Sequence, residues 1–155
     1  MWVPSEVKSP ELRHYPGRKS VGYFGAVRLR DGKFVYRKEA GRFNAQTFWE
    51  FMLQMKETGS CPERRMVVIT DNAKYHHAKL HKEWREKNAG RYDLDYLPPY
   101  SPDLNPIERV WKLTRRNRLH NRYFHTLKSI EETVEDLFES WRDGSGNLRR
   151  LCAIT

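Results

Sequence analysis

Two carboxylates stand out by what surrounds them. Asp71 follows a short apolar run, Met66-Val67-Val68-Ile69-Thr70. Glu108 follows a proline-stiffened stretch, Leu97-Pro98-Pro99-Tyr100-Ser101-Pro102-Asp103-Leu104-Asn105-Pro106-Ile107. Thirty-six residues separate the two acids. If the strand ending at Asp71 neighbours the strand before the proline loop, both acids reach one sheet edge. In open α/β sheets that edge, outside the carboxyl ends of the strands, is where ligands gather. Two carboxylates there suit magnesium, a hard ion that takes a few acidic oxygens and keeps water or phosphate on its other sites. Two such ions, about 3.5–4 Å apart, activate the attacking oxygen and stabilise the leaving one in phosphodiester chemistry. Each acid also has a plain local alternative. Asp71 can cap the turn into the next helix, and Glu108 can complete a capping box with Asn105. Convergence on one point separates the two readings.

The elements that must position these acids are legible in outline. Residues 1–18 are rich in proline and turn formers and read as an irregular lead-in. Residues 19–38 read as a hairpin, β-rich on both sides of an Asp31-Gly32 turn signal. Residues 44–58 read as a helix with Asn44 as its cap and Gly59 as its stop. Phe48, Phe51, Met52 and Met55 recur at spacings of three and four and form its core face. The run 66–70 is short and continuously apolar, as a buried parallel strand is. Residues 74–87 read as a helix in which His77 and His81 fall one turn apart. That is the spacing of a zinc pair, but with no third ligand nearby the expectation is packed or solvated histidines. A second strand spans 92–97. Three prolines after it forbid a continued helix or a central strand.

Asn105-Pro106-Ile107-Glu108 then reads as a helix start, with Asn105 at the cap and Pro106 at the first helical position. The helix runs to about Leu119 and carries the densest basic stretch of the chain. Arg109, Lys112, Arg115, Arg116 and Arg118 lie on it, with Arg122 just beyond. A charge run is commonly a solvated face. Because this one begins beside the candidate site, contact with phosphates is expected. A last amphipathic helix from Leu127 to Trp141, capped by Thr126 and closed by Gly144, packs on the sheet. The tail, 145–155, is expected to be loose.

The bulk numbers bound the rest. The chain has 155 residues, enough for one domain with a moderate core. It carries 29 Lys and Arg against 20 Asp and Glu, a net charge of +9, which fits a polyanionic partner such as nucleic acid. Eight Tyr, seven Phe and five Trp argue against disorder. Cys61 and Cys152 make neither a disulfide framework nor a CxxC pair, so a reducing, cytoplasmic setting is expected. No apolar run approaches the roughly 18 residues of a membrane span. The opening residues, MWVPSEVKSP, lack the basic start and apolar stretch of a signal peptide.

Asp71-Asn72-Ala73 followed by His76, then LPPYSPDLNPIE at 97–108 and Trp111, resembles the mariner-type superfamily of DDE transposases, in its bacterial insertion-sequence branch. The stretches RRMVVITDNAKYHHA (64–78) and 97–126 carry the resemblance, which extends over residues 1–142. It implies an α/β, RNase H-like mixed sheet with flanking helices. It also implies DNA strand cleavage and transfer dependent on magnesium or manganese, with two ions in the complete site. By this resemblance Asp71 matches the second catalytic acid and Glu108 the third, both as metal ligands. Asn72 and His76 support the site, and Asn105 and Pro106 set the geometry of Glu108.

The departures matter as much. The family's first catalytic Asp lies on a strand upstream of the hairpin, whereas here no apolar strand precedes residue 19 and no Asp precedes Asp31. In the implied fold that strand is central, between the hairpin and the strand ending at Asp71. Glu6 and Glu11 lie in the irregular lead-in and are poor substitutes. The family's helix-turn-helix region is also missing. The chain therefore reads as the carboxy-terminal part of a transposase catalytic domain over 1–142, with a loose tail at 143–155, from a truncated gene or the second frame of an element. The expected partners are DNA and either a second copy of the chain or the upstream transposase part, with no membrane and no small-molecule cofactor. The alternative is an inactive remnant that binds DNA or intact transposase as a non-enzymatic regulator.

Overall fold

A computed structural model describes residues 20–59 and 63–153. The lead-in at 1–18, with Glu6 and Glu11, and Cys61 lie outside the described residues. Strands β1 (Gly22–Val27) and β2 (Phe34–Glu39) form the expected antiparallel hairpin, paired from Gly22 with Glu39 to Val27 with Phe34. Its turn is held by the Asp31 carboxylate, which accepts from Arg28 Nε at 2.8 Å and Nη2 at 2.6 Å. The guanidinium draws the Asp31 pKa down to about 2. Gly32 sits at φ +71°, and a Cβ there would lie 2.1 Å from the Ser145 carbonyl oxygen. Only glycine fits this turn.

Helix α1 (Ala45–Gly59) starts where Asn44 Oδ1 accepts from the backbone of Gln46 at 2.9 Å and Thr47 at 3.0 Å. Its buried face is Phe48, Phe51, Met52 and Met55, as the periodicity requires. Strands β3 (Met66–Thr70) and β4 (Tyr92–Tyr96) pair in parallel, Met66 with Tyr92 through Thr70 with Tyr96. Leu97 N donates to Thr70 O at 2.9 Å and extends the ladder one step.

Between these strands the expected single helix over 74–87 is broken. Two short 3₁₀ turns, Lys74–His77 and Lys79–His81, precede α2 (Lys82–Asn88). The break is at Ala78, which is extended with φ −62° and ψ 141°. His77 is exposed and stacked on Tyr96, while His81 is fully buried with Nε2 3.0 Å from the Tyr75 carbonyl oxygen. They do not form a pair, and among the described residues no group of three His, Cys, Asp or Glu side chains could hold a metal.

Helix α3 (Pro106–Thr114) continues as a wider π-turn over Arg115–Leu119, so the helical path ends where the sequence suggests. Helix α4 (Leu127–Glu139) begins at the Thr126 cap, where a reciprocal capping box with Ser129 forms. The expectation of a loose tail is overturned for its first half. Residues Gly146–Leu151 form α5, capped by the Ser145 hydroxyl, and Leu148 and Cys152 are fully buried. Ser145 N donates to Asp31 O at 3.0 Å, so this segment closes over the hairpin turn.

Two cores result. One face of the hairpin, with Phe34, Tyr36, Tyr23 and Val27, packs against α3, α4, α5 and the turn after α4 through Val110, Leu113, Phe138, Leu148 and Trp141. The other face, with Phe24, Ala26 and Val35, shares α1 with the inner face of β3 and β4, Val68, Tyr92 and Leu94. The two strand pairs make two separate sheets. Among the described residues no ladder joins β1 to β3. A groove of about 690 Å³ runs between them, lined by Tyr23–Val27 on one side and Met66–Thr70 on the other. Val67 and Ile69, on the outer face of β3, are exposed.

Candidate active site

The proline loop gets its shape from local chemistry. Leu97 ends the parallel ladder, and Pro98 and Pro99 can donate to no further partner. Tyr100 turns the chain with φ +58°. A 3₁₀ turn over Pro102–Leu104 follows, closed by Leu104 N to Ser101 O at 3.2 Å and Asn105 N to Pro102 O at 3.0 Å. Pro106 then opens α3 at its first position. Asn105 is buried at the cap position, but its side chain accepts no capping bond. Glu108 N donates to Asn105 O at 3.1 Å, and no reciprocal side-chain bond forms. The capping-box reading of Glu108 therefore fails, and its carboxylate lines a cleft instead.

Asp71 reaches the same cleft from the carboxyl end of β3. A space of about 170 Å³ is lined by Asp71, Asn72, Asn105, Glu108 and the 97–102 loop. Both acids thus line one cleft, each from a different element. Asp71 Oδ1 accepts from Ala73 N at 3.0 Å. His76 Nδ1 lies 3.0 Å from that same oxygen, 2.9 Å from the Asp71 carbonyl oxygen and 3.1 Å from Thr70 Oγ1. Burial pushes the His76 pKa down, opposed by its bonds to Asp71. The ring sits against Phe48 at 4.2 Å and Tyr75 at 4.5 Å between centroids. One edge of Asp71 is thus braced by a packed imidazole, while most of its side chain stays open to solvent.

Asn72 ties the two arms of the site together. Its amide donates to the Leu97 carbonyl, and its Oδ1 lies 3.2 Å from His77 Nε2. His77 stacks on Tyr96 at 4.2 Å, and the Tyr96 hydroxyl donates to His76 O at 3.0 Å while accepting from Arg85 Nη1 at 2.7 Å. Sequence reading missed Tyr96 and Arg85. Tyr96 ends β4 directly before the loop, which was the available signal.

The basic residues divide. Arg109 Nη1 donates to the carbonyls of Leu151 and Ala153, both at 3.1 Å, so its guanidinium latches the segment after α5 to α3. Lys112, Arg115, Arg116 and Arg122 are exposed, Arg118 is half-buried, and none pairs with a carboxylate among the described residues. Lys112 lies one helical turn beyond Glu108, and Arg115 and Arg116 lie another turn on, along the same side. Arg28, Arg30, Lys33, Arg64 and Arg65 line the larger groove, which also reaches Asp71 and Glu108. Composition alone could not single these five out.

Two carboxylates in an open cleft are a hard-oxygen donor set that fits magnesium or manganese. The surrounding positive charge fits phosphate.

A sequence model described as DDE superfamily endonuclease matches residues 1–131. A curated protein of Sinorhizobium fredii (strain NBRC 101917 / NGR234), described as "Uncharacterized protein y4pE/y4sA", is 36% identical over 75 residues, 48% of this chain and 50% of that protein. Among solved structures, the crystal structure of the Mos1 strand transfer complex superposes with a TM-score of 0.68 at 17% identity, over 98% of this chain and 44% of that one. The chain thus spans about half the length of the curated relative and less than half of the structural one. The shared fold is RNase H-like.

Proposed function

This chain belongs to the DDE superfamily endonucleases, and on that footing we propose that it is a transposase catalytic segment acting on DNA, with Asp71 and Glu108 as its acids. The observation that carries the proposal is their convergence on one cleft from two separate elements. DDE superfamily endonucleases generally use divalent metal ions. Asp71 and Glu108 would hold magnesium or manganese, which when bound supplies charge stabilisation to the attacking and leaving oxygens of a phosphodiester displacement.

The chain's own groups do the rest. His76 and Ala73 N fix one Asp71 oxygen and leave the other face free. Asn72 keeps the Asp71 arm in register with the loop leading to Glu108. Asn105 and Pro106 set the first turn of α3 and so the direction of Glu108. Lys112, Arg115, Arg116, Arg118 and Arg122 contact phosphates, while the role first expected for Arg109 gives way to its carbonyl latch. The complete site takes two ions and a further carboxylate from the upstream transposase part. That part adds a strand to the groove between β1 and β3, whose facing edges are unpaired among the described residues. Action on DNA would place the chain in the cytoplasm, and no helix among the described residues is long and apolar enough to cross a membrane.

The test is nicking of element-end DNA in magnesium by this chain joined to the upstream part. Asp71→Asn and Glu108→Gln should each reduce nicking to background. Equal nicking by all versions removes the proposal.

One observation favours a second reading for the chain by itself: only two carboxylates line the cleft among the described residues. On that reading the isolated chain binds DNA, or intact transposase, without cutting. DNA binding that falls steeply with salt, with no cleavage, is its signature.

A further inference from the structure

Arg85 reaches from α2 to the last residue of β4 with no acid to meet it. Its guanidinium pairs with no carboxylate among the described residues. Its Nε is buried without a partner there, which costs free energy. What the side chain has instead is the Tyr96 hydroxyl, 2.7 Å from Nη1. A tyrosine hydroxyl can donate or accept, whereas a guanidinium only donates. Arg85 therefore fills the acceptor side of the hydroxyl, and the proton points at the His76 carbonyl oxygen, 3.0 Å away. That carbonyl belongs to the 3₁₀ turn Lys74–His77, whose His76 Nδ1 stands 3.0 Å from Asp71 Oδ1. A second support meets the same ring. His77 stacks on Tyr96 at 4.2 Å, and its Nε2 lies 3.2 Å from Asn72 Oδ1. The Asn72 amide nitrogen donates to the Leu97 carbonyl, so Oδ1 is the atom left to accept and His77 Nε2 carries the hydrogen. Tyr96 is also the ladder partner of Thr70, the residue before Asp71. Backbone, ring face and hydroxyl of one residue thus each hold a different part of the 70–77 segment.

We propose that Arg85 and Tyr96 are positioning residues for the Asp71 carboxylate, acting through the His76 turn and not by touching the metal. The inference rests on the reading of Asp71 as a metal ligand. The guanidinium makes a charge-assisted bond to the hydroxyl, and bonds in a chain polarise one another, so the bond onward to the His76 carbonyl is strengthened. The turn is thereby held against the end of β4, and the imidazole keeps its approach to Asp71 Oδ1. Without the chain the turn still packs, because the His76 ring remains against Phe48 and Tyr75. What is lost is the fixed direction of the carboxylate. Groups that orient a ligand in this way commonly change metal affinity although they never reach the ion.

The experiment compares the full chain with Tyr96→Phe, Arg85→Met, the double variant and Tyr36→Phe. The last loses a hydroxyl bond to Glu139, away from the site. Manganese binding is read by electron paramagnetic resonance, and amide hydrogen exchange is read without metal. Tyr96→Phe and Arg85→Met should each weaken manganese binding about tenfold. The double variant should fall no more than about twofold below the weaker single, because both cut one chain. The Ala73 amide donates to Asp71 Oδ1 and the His76 amide to Ala73 O. Exchange at these two should quicken about fivefold or more in both single variants, while the amides of α4 keep their wild-type rates. Tyr36→Phe should change neither readout. Wild-type manganese affinity in Tyr96→Phe, fully multiplied effects in the double variant, or an equal loss in Tyr36→Phe overturns the proposal. Asp71→Asn separates the two failures. If it binds manganese as tightly as wild type, the metal-ligand reading falls and the positioning role with it. If it binds weakly while Tyr96→Phe is unaffected, the positioning role alone falls.

Discussion

Asn72 donates its side-chain amide to the main-chain carbonyl of Leu97. The bond links the residue after Asp71 to the first residue of the loop that ends at Glu108. The two arms of the candidate site are therefore joined at their bases, on neighbouring parallel strands, before either carboxylate reaches the cleft. Removing the amide leaves the Leu97 carbonyl without that partner and frees the loop to move against β3.

Asn72→Ala should therefore cost stability of about 1 kcal/mol. Its effect on function should be larger, because a group that orients metal-binding side chains commonly matters by about 10–100-fold in affinity or activity. Manganese binding by isothermal titration and nicking by the joined protein should both fall by that order. A loss no greater than the stability change explains would show that the tie is merely structural.

A glycine on another element leaves room for a side chain of α3. A Cβ on Gly25 would lie 2.5 Å from Trp111 Cη2 and 2.9 Å from Phe34 Cζ. Trp111 is held by Phe34 at 6.0 Å and Phe138 at 5.9 Å, so its ring cannot simply swing aside. It lies one turn beyond Glu108 on α3. Gly25→Ala should cost about 1–3 kcal/mol by overpacking. It should also shift tryptophan fluorescence and lower nicking beyond the stability loss. Unchanged fluorescence would show that the hairpin yields instead.

The segment after α4 should matter to the fold. Leu148 and Cys152 are fully buried, and Cys152 Sγ lies 3.6 Å from the Pro106 carbonyl oxygen at the start of α3. Leu148→Ala should lower unfolding free energy by about 2–5 kcal/mol, read from denaturant midpoints. Leu148→Met should cost under about 1.5 kcal/mol. Equal, small effects of both would mean that α5 docks weakly.

What could be read from residues alone follows the physics of each signal. Asn44, Thr126 and the Asp31-Gly32 turn act within a few residues, and each does what its chemistry suggests. The face of α1 was legible because four large apolar residues repeat over about two turns. Helix α5 was not, because six residues offer one turn of period, and Leu148 shows its role only against α3 and the hairpin. The break at Ala78 was hidden for a related reason. Alanine is the best helix former, and its extended backbone there is set by the burial of His76 and His81 on either side. That Asp71 and Glu108 line one cleft was legible from their places after two successive strands. The carbonyl latch of Arg109 was not, since its partners are main-chain atoms 42 and 44 positions away.

Acid should weaken the fold through His81. The ring is fully buried, its Nε2 lies 3.0 Å from the Tyr75 carbonyl oxygen, and its Nδ1 has no partner among the described residues. Burial pushes its pKa below 6.5, and the nearby Arg85 and His77 push the same way, against the Tyr75 carbonyl. In the unfolded chain the imidazole titrates near 6.5. Between those two values the unfolded state holds more protons than the native one, so stability rises with pH there. The contribution is fully present above about pH 6.5 and is lost as pH falls toward the lower, native value. One proton sets a slope of at most about 1.4 kcal/mol per pH unit. His76 shifts in the same direction and adds to it. Urea midpoints measured between pH 5 and 7.5 should therefore drop on the acid side. His81→Gln keeps a donor for the Tyr75 carbonyl without an imidazole to charge, and should show a shallower drop from a somewhat lower plateau. A drop as steep in His81→Gln as in wild type would assign the acid sensitivity to other groups.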